Sequence, residues 1–279
     1  MALIKVSFVS EALKRAVPLV VVLPTDKLYK PGQTKRPANK PYKTLYLLHG
    51  VLGNEEDWVS GTRIQRWAEA NDLAVVMPAG ENSFYVDNHF TGRDYSRFIG
   101  EELISFTRKT FPLSTKKEDT FIGGLSMGGY GALYNGLKYH ETFGAIVALS
   151  AALMVDETLA QLPQKAEWFG STKPFWQGVF GPDLKAAGQS ECNLNVLVNK
   201  LLKAKVELPA IYLAIGDDDK LLAVNVDFHE FLEQKQVAHV FRVAPGSHEW
   251  DFWDRHLRRA LDWLPLERAE SGINSGNVN

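Results

Sequence analysis

The sequence predicts a single α/β domain in which a mostly parallel central sheet carries helices on both faces. From residue 44 onward, short apolar runs are followed by longer helical segments, so strand, loop and helix recur in that order. The apolar runs are nearly continuous rather than alternating, as strands buried on both faces require. A chain of 279 residues with 45% hydrophobic residues is long enough to bury one such core. We therefore expect one domain over residues 1–266.

Eight short stretches rich in aliphatic residues are predicted to be strands. Two of them, at residues 3–9 and 18–23, open the sheet. The other six are the runs TLYLL, LAVVMP, TFIGG, AIVALS, AIYLAIG and HVFRV. Helices are predicted at 57–70, 95–111 and 128–139, each after one of the first three of these runs. Residues 26–43, with three prolines and six basic residues, are predicted to be a solvated loop.

The segment at residues 151–206 interrupts the regular alternation, because it is far longer than an ordinary crossover. We interpret it as a lid-like insertion. It carries an aromatic group, of which Trp168, Phe175 and Trp176 are candidate pocket residues. These rings could line an acyl pocket or could pack the small core of the insertion itself, and the sequence leaves both open. Residues 267–279 have no apolar periodicity and are predicted to be disordered.

Composition argues against several classes of partner and cofactor. The 31 basic and 33 acidic residues are spread along the chain, so no basic surface for nucleic acid is expected. No apolar run approaches the roughly 18 residues of a membrane helix, and no export signal is visible. The sequence has no pairs of histidines or cysteines at zinc-binding spacing, and it has no phosphate-binding loop. No metal or cofactor is therefore expected. A small-molecule substrate is predicted, and the sequence leaves open whether the chain forms a homo-oligomer.

The single cysteine, Cys192, excludes an internal disulfide. Nothing in the cysteine usage calls for an oxidising compartment, so we expect a cytoplasmic protein.

The strongest local motif is Gly-Leu-Ser-Met-Gly at residues 124–128, which follows a predicted strand and precedes a predicted helix. This G-x-S-x-G context is that of the nucleophile elbow of the α/β-hydrolase fold, in which a serine sits on a sharp, strained turn. Larger residues at either glycine would collide with the neighbouring strand and helix. Ser126 is therefore the predicted nucleophile, and it needs a histidine and a carboxylate to activate it.

The chain order Ser, acid, His in this fold selects the other two residues. Of the seven histidines, only His248 follows the elbow in a loop directly after a predicted strand, so it is the predicted general base. The aspartates at 217–219 all follow AIYLAIG, and position alone does not separate them. We favour Asp219, because a turn beginning at Gly216 leaves the third aspartate to start the next helix, pointing toward the sheet edge. Asp217 and Asp218 are expected to be solvated.

Acyl transfer also needs backbone N–H groups directed at the developing oxyanion. The fold draws one from the residue after the nucleophile, here Met127. The other comes from the loop after an earlier strand, and Val51 in the segment HGVLG is the predicted donor. His49 in the same loop is expected to be a structural hydrogen-bonding residue.

The sequence resembles the esterase D family of α/β-hydrolases, and within it most resembles the bacterial tributyrin esterases. The resemblance covers residues 1–264 and rests on the elbow and on LLHGVLGNEEDW (47–58), SFYVDNHFTGRDYSRFIGEEL (83–103), VFG (179–181), GDDDKLL (216–222) and GSHEWDFW (246–253). It implies the triad Ser126, Asp219 and His248, with oxyanion donors at Val51 and Met127. It also implies a single α/β-hydrolase domain.

The expected function is hydrolysis of short-chain acyl esters through an acyl-enzyme. Alternatives are an S-formylglutathione hydrolase, a feruloyl or acetyl-sugar esterase, and an inactive hydrolase-fold binding module. The retention of all three triad residues disfavours the last of these.

Overall fold

A computed structural model describes residues 1–269 and 272–273 of the chain. Its centre is an eight-stranded sheet with the order β1-β2-β4-β3-β7-β8-β9-β10, and a two-stranded hairpin, β5-β6, stands apart. The strands are β1 (Ala2–Ser10), β2 (Arg15–Leu23), β3 (Lys43–Leu48), β4 (Leu73–Pro78), β5 (Asp87–Asn88), β6 (Arg93–Asp94), β7 (Thr120–Leu125), β8 (Ala145–Leu149), β9 (Ala210–Gly216) and β10 (His239–Ala244). β1 and β2 are antiparallel to their neighbours, and from β4 to β10 the strands pair in parallel.

The sheet confirms the predicted fold class and all eight predicted strands. β4, β7 and β8 are buried along their whole length, which is why these runs are apolar without alternation. β1 instead alternates between partly buried and exposed residues, as a strand with one solvated face does. The β5-β6 hairpin was not predicted, because two-residue strands are too short to show periodicity.

Ten α-helical segments flank the sheet within the described residues. They are α1 (Asp57–Gly61), α2 (Ile64–Ala70), α3 (Tyr95–Arg97), α4 (Leu103–Thr110), α5 (Met127–Lys138), α6 (Lys173–Phe180), α7 (Leu184–Gln189), α8 (Leu194–Lys203), α9 (Leu222–Gln234) and α10 (Trp250–Trp263). A π-helical turn at Phe98–Glu102 joins α3 to α4, so the helix predicted at 95–111 is present with an irregular centre.

The helix predicted at 57–70 is divided in two. Thr62 has an extended backbone, with φ −141° and ψ 173°, and ends α1. Its hydroxyl donates to the carbonyl of Trp58 and accepts from the N–H of Ile64, so one side chain closes α1 and opens α2. Helical periodicity alone does not reveal this break.

The apolar residues form one core on each face of the sheet, as the fold class requires. Along β3, Tyr46 and Leu48 face the core that contains α4, α5 and the insertion, whereas Leu45 and Leu47 face the core beneath α2 and α10. Residues 151–206 form two 3₁₀ turns followed by α6, α7 and α8, and the buried side chains of all three helices join the first core. No helix of the described residues is both long and apolar enough to cross a membrane.

The segment predicted to be disordered, 267–279, has packed residues. The N–H of Ala269 donates to Ala70, and Ile273 forms a β-bridge with Leu28. Main-chain polar groups rather than apolar side chains hold these residues, so hydropathy patterning does not detect them. Residues 270, 271 and 274–279 of that prediction lie outside the described residues.

Candidate active site

Ser126 lies at the turn between β7 and α5, where its backbone has φ +54°. Such a conformation is costly for a residue with a side chain, and the surrounding hydrogen bonds maintain it. The N–H of Ser126 donates to Leu149, and its carbonyl accepts from Tyr130 and Ala152. The hydroxyl is thereby held at the carboxyl edge of the sheet while the residue stays 7% exposed.

The two glycines of the motif are required sterically. A Cβ at Gly124 would overlap the carbonyl of Gly128, and a Cβ at Gly128 would overlap the carbonyl of Leu48 at the end of β3. Helix α5 and the neighbouring strand therefore approach the turn too closely for any side chain at these positions, as the motif predicts.

His248 lies in the loop between β10 and α10 and joins the other two predicted triad residues. Its Nε2 is 3.0 Å from the Oγ of Ser126. Its Nδ1 is 2.9 Å and 3.2 Å from the two carboxylate oxygens of Asp219. The ring also makes an edge-to-face contact with Trp253 at 4.9 Å between centroids, which fixes the plane of the imidazole. The structure thus forms a continuous hydrogen-bonded path from hydroxyl to carboxylate.

Asp219 is 4% exposed, in the loop between β9 and α9. Burial by itself would raise the pKa of this carboxyl, but hydrogen bonds from His248, from the N–H of Leu221 and from Ser150 outweigh it, and the net pKa lies below 3.8. The carboxylate is therefore ionised and oriented. α9 begins at Leu222, so Asp219 stands three residues before the helix rather than at its first position.

The neighbouring aspartates are exposed, as predicted, but Asp217 is not merely solvated. Its Oδ1 accepts from the N–H of Gly246 at 3.1 Å, and its own N–H donates to Ala244. The N–H of Asp218 donates to the carbonyl of Gly246. This loop therefore anchors the loop that carries His248.

The segment HGVLG folds against the nucleophile. A Cβ at Gly50 would lie 2.7 Å from the side chain of Leu125 and 3.5 Å from the Cβ of Ser126, so the loop passes directly over the elbow. No acceptor for the N–H of Val51 is found among the described residues. Met127 is the first residue of α5, where N–H groups have no acceptor within the helix. Both predicted donors are thus on backbone next to Ser126.

His49 supports this loop and does not reach the reacting groups. Its Nε2 accepts from the N–H of Gly80 at 2.8 Å, so the ring proton is on Nδ1, which donates to the carbonyl of Gly50 at 2.7 Å. Burial lowers the pKa of His49 and keeps the ring neutral. The hydroxyl of Tyr85 donates to the carbonyl of His49. The structural role expected for His49 agrees with these contacts.

Two supporting residues were not identified from the sequence. Asn82 accepts the N–H of Leu52 and so holds the loop after Val51. Ser150, with φ +45°, bonds the carboxylate of Asp219 and accepts the indole N–H of Trp253 at 3.0 Å. Its position directly after β8, at the same sheet edge as the triad, is a signal that could have found it.

The aromatic residues of the insertion divide between the two roles that the sequence left open. Trp176 is buried, packs against Phe84 and donates its indole N–H to Gly170, so it belongs to the core of the insertion. Phe175 lines a cavity of about 390 Å³ that Asn82 also lines, beside the loop of Val51. Trp168 is 48% exposed. Of the three candidate pocket residues, Phe175 is the one that lines this cavity.

This arrangement can remove a proton from a hydroxyl nucleophile and stabilise an oxyanion beside it, which is the chemistry of acyl transfer. A cavity of about 960 Å³ lies instead at the opposite end of the parallel strands, at the amino-terminal ends of β8, β9 and β10. Cavity size therefore does not locate the site, whereas hydrogen-bond geometry does.

Residues 10–264 match the family model described as "Putative esterase". An acetyl esterase from Caldicellulosiruptor saccharolyticus is 42% identical to the chain over 95% of its length and 98% of the relative. Two solved Staphylococcus aureus structures are also similar, each over 94% of this chain and 98% of the other. They are the fluorophosphonate-binding serine hydrolase FphF, with 31% identity and a TM-score of 0.80, and the S-formylglutathione hydrolase FrmB, with 30% and 0.78. The chain therefore belongs to this esterase family and is a carboxylic ester hydrolase of the α/β-hydrolase fold.

Proposed function

We propose that this protein is a serine carboxylesterase that hydrolyses short-chain acyl esters, with Ser126 as nucleophile, His248 as general base and Asp219 as the orienting carboxylate. The observation that carries the proposal is the path from Ser126 Oγ through His248 to Asp219, with separations of 3.0 Å and 2.9 Å. The same three residues were predicted from the sequence: Ser126 from its motif, His248 from chain order and loop position, and Asp219 from the expected turn after Gly216.

In the first half-reaction, Nε2 of His248 takes the hydroxyl proton as Oγ of Ser126 attacks the ester carbonyl carbon. Asp219 holds the tautomer in which Nε2 is the acceptor and stabilises the imidazolium that forms. The N–H groups of Val51 and Met127 stabilise the oxyanion. Collapse of the tetrahedral intermediate breaks the ester C–O bond, and the alcohol leaves with the proton from His248.

In the second half-reaction, water attacks the acyl-enzyme with His248 again as base. The carboxylic acid leaves, and Oγ of Ser126 regains its proton.

Short acyl groups are favoured because the relative that is 42% identical is named an acetyl esterase. We expect kcat/KM on p-nitrophenyl esters to be highest from acetate to butyrate. A steady rise through octanoate and decanoate would contradict this specificity.

An S-formylglutathione hydrolase is the second candidate, because FrmB covers almost the whole chain and carries that name. A thioester would be cleaved by the same three residues. Measuring kcat/KM for S-formylglutathione, for a feruloyl ester and for the acyl ester series with one enzyme preparation separates these possibilities. A kcat/KM for S-formylglutathione well above that of every ester would favour the second candidate. A feruloyl ester as the best substrate would point instead to a feruloyl esterase.

The nucleophile is tested by Ser126→Ala. We expect kcat on p-nitrophenyl butyrate to fall by about 10⁴-fold or more with the fold intact by circular dichroism. Ser60→Ala is the matched control, because within the described part of the chain its hydroxyl donates to the carbonyls of Glu56 and Asp57 alone. A fluorophosphonate probe should label Ser126, as located by peptide mass. Wild-type turnover in Ser126→Ala, or labelling at another residue, would contradict the proposal.

A further inference from the structure

A cluster of two histidines and a glutamate lies away from the candidate active site. His229 and Glu233 are one helical turn apart on α9, and His239 is the first residue of β10. Nδ1 of His229 is 2.7 Å from Nε2 of His239, which in turn is 4.0 Å from the carboxylate of Glu233. One ligand-type atom from each residue lies within 4.8 Å of the other two.

The orientation of His239 is set by its other ring nitrogen. Nδ1 of His239 is 2.8 Å from the carbonyl of Val237, which can only accept, so Nδ1 carries the proton. Nε2 therefore presents its lone pair to His229, whose Nδ1–H donates to it. A histidine whose N–H is held by a backbone carbonyl while its other nitrogen points into a cluster is the arrangement typical of metal ligands.

The rest of the scaffold holds the histidines in place. The ring of His229 stacks on Phe241, two residues along β10 from His239, with 4.4 Å between centroids. The side chain of His239 is 1% exposed, whereas that of Glu233 is 65% exposed and can move. His239 also lines the groove of about 960 Å³ at this end of the strands.

We propose that His229, Glu233 and His239 form a binding site for a divalent transition metal of the Zn²⁺ type. Two imidazoles and a carboxylate are the donor set that such ions prefer, and water would complete the coordination. Ligand atoms about 2.0–2.1 Å from a tetrahedral Zn²⁺ lie roughly 3.3 Å apart. The histidine pair must therefore separate slightly and Glu233 must move inward. His229 shifts its proton from Nδ1 to Nε2 and stays neutral.

The site would link α9 to β10. β10 is one of the two edge strands of the sheet, and among the described residues it pairs with β9 alone. A metal bound here would therefore hold a strand that has a hydrogen-bonded neighbour on one side. β10 runs from His239 toward the loop of His248, and its six residues span roughly 16 Å. The role would be to stabilise the fold rather than to take part in hydrolysis.

Spacing rules did not predict this site, because the three ligands come from a helix and the next strand. Only His229 and Glu233 have a local spacing, and a single pair of this kind is common on helices.

The test is titration of ZnCl₂ into the full chain, prepared without a histidine tag and freed of metal with EDTA, by isothermal titration calorimetry. We expect one Zn²⁺ per chain with Kd in the micromolar range or below, and a rise in Tm of roughly 5 °C at a hundredfold excess over Kd. His229→Gln and Glu233→Gln should each weaken binding at least tenfold. Both variants should retain wild-type esterase activity without metal, which shows that they fold.

Two controls match these variants. Glu230→Gln changes an exposed glutamate on the same helix, and His89→Gln changes an exposed histidine that is paired with Asp94. Both should bind Zn²⁺ like the wild type. The proposal is overturned if wild type shows no saturable binding, if both ligand variants keep wild-type affinity, or if the controls lose binding as much as the ligand variants do.

Discussion

The three aspartates at 217–219 are adjacent in sequence but differ in environment. Asp219 is buried, and its carboxylate holds Nδ1 of His248. The carboxylate of Asp217 accepts one backbone N–H at the surface, and Asp218 is exposed. Only the carboxylate of Asp219 can set the tautomer of His248.

Asp219→Asn should therefore lower kcat by up to about 10⁴-fold, because an amide can favour the tautomer in which Nε2 no longer accepts from Ser126. Asp218→Asn should stay within a few-fold of wild type, as exposed substitutions usually do. Asp217→Asn should also keep kcat within a few-fold of wild type, since an amide oxygen can still accept the hydrogen bond from the N–H of Gly246. The measurement is kcat on p-nitrophenyl butyrate for the three purified variants, with circular dichroism as the check on folding.

If Asp217→Asn or Asp218→Asn shows the deep loss and Asp219→Asn stays active, the carboxylate has been assigned to the wrong residue. The proposal for Ser126 and His248 would then still stand.

The residues that the sequence predicted are those whose chemistry and chain order are both constrained. Ser126 has a motif, and His248 is selected because the other histidines lie in helices, in strands or before the elbow. Ser150 was missed although its position directly after β8 is a signal for it, because its role depends on its contacts with Asp219 and Trp253. Asn82 acts through one hydrogen bond made across the fold, to Leu52, and no local pattern encodes such a contact.

At the scale of elements, α10 carries a buried histidine on its core face. His256 is 1% exposed, stacks on Phe252 with 4.0 Å between centroids and accepts from Arg259 through Nε2. Burial, together with the charges of Arg259 and Arg255, lowers its pKa from 6.5 to about 4. The folded state therefore keeps this ring neutral at a pH where the unfolded chain protonates it.

This difference in pKa makes stability depend on pH. Above pH 6.5 both states are neutral at His256 and the residue contributes no pH dependence. As the pH falls from 6.5 to about 4, the unfolded state binds the proton first, so the free energy of unfolding decreases by on the order of 2–3 kcal/mol. The effect is complete near pH 4, where the folded state also protonates.

We expect His256→Gln to reduce the loss of stability between pH 7 and pH 4.5, measured by urea unfolding at each pH. The quantity compared is the change in the free energy of unfolding between the two pH values, so a uniform loss of stability in the variant does not affect it. His89→Gln, which changes an exposed histidine, should keep the wild-type difference. An unchanged difference in His256→Gln would show that other groups cause the acid sensitivity.

Element positions were predictable where a continuous apolar run or a helical segment is bounded by turn residues, as in β3, β4 and α5. The division of 57–70 into α1 and α2 was not, because it depends on the backbone of Thr62. The short helices of the insertion were also missed. They bury their apolar residues against Phe84 and other residues distant in sequence rather than against one another alone.

In the whole molecule, the two ends of the parallel strands carry different groups of residues. The loops of Ser126, Asp219 and His248 all lie at the carboxyl edge, because each follows a parallel strand, and this is where α/β folds place their sites. The opposite edge carries the His229 cluster and the groove beside it. The C-terminal segment packs against the loop at residues 26–43. Like the His229 cluster, it lies away from the triad. Changes there should alter stability without altering catalysis.

Removal of residues 267–279 tests this separation. The truncation deletes the hydrogen bonds from Ala269 to Ala70 and from Ile273 to Leu28, and it uncovers the buried Lys27–Asp72 ion pair, which Gly272 overlies. Two net hydrogen bonds contribute about 1–3 kcal/mol, so Tm should fall by several degrees while kcat/KM on p-nitrophenyl butyrate stays within twofold of wild type. Lys40→Ala, which removes only the exposed pair with Glu267, should cost less than about 1 kcal/mol. A large fall in kcat/KM with Tm unchanged would contradict the separation, because it would mean that this segment acts on the triad from the far edge of the sheet.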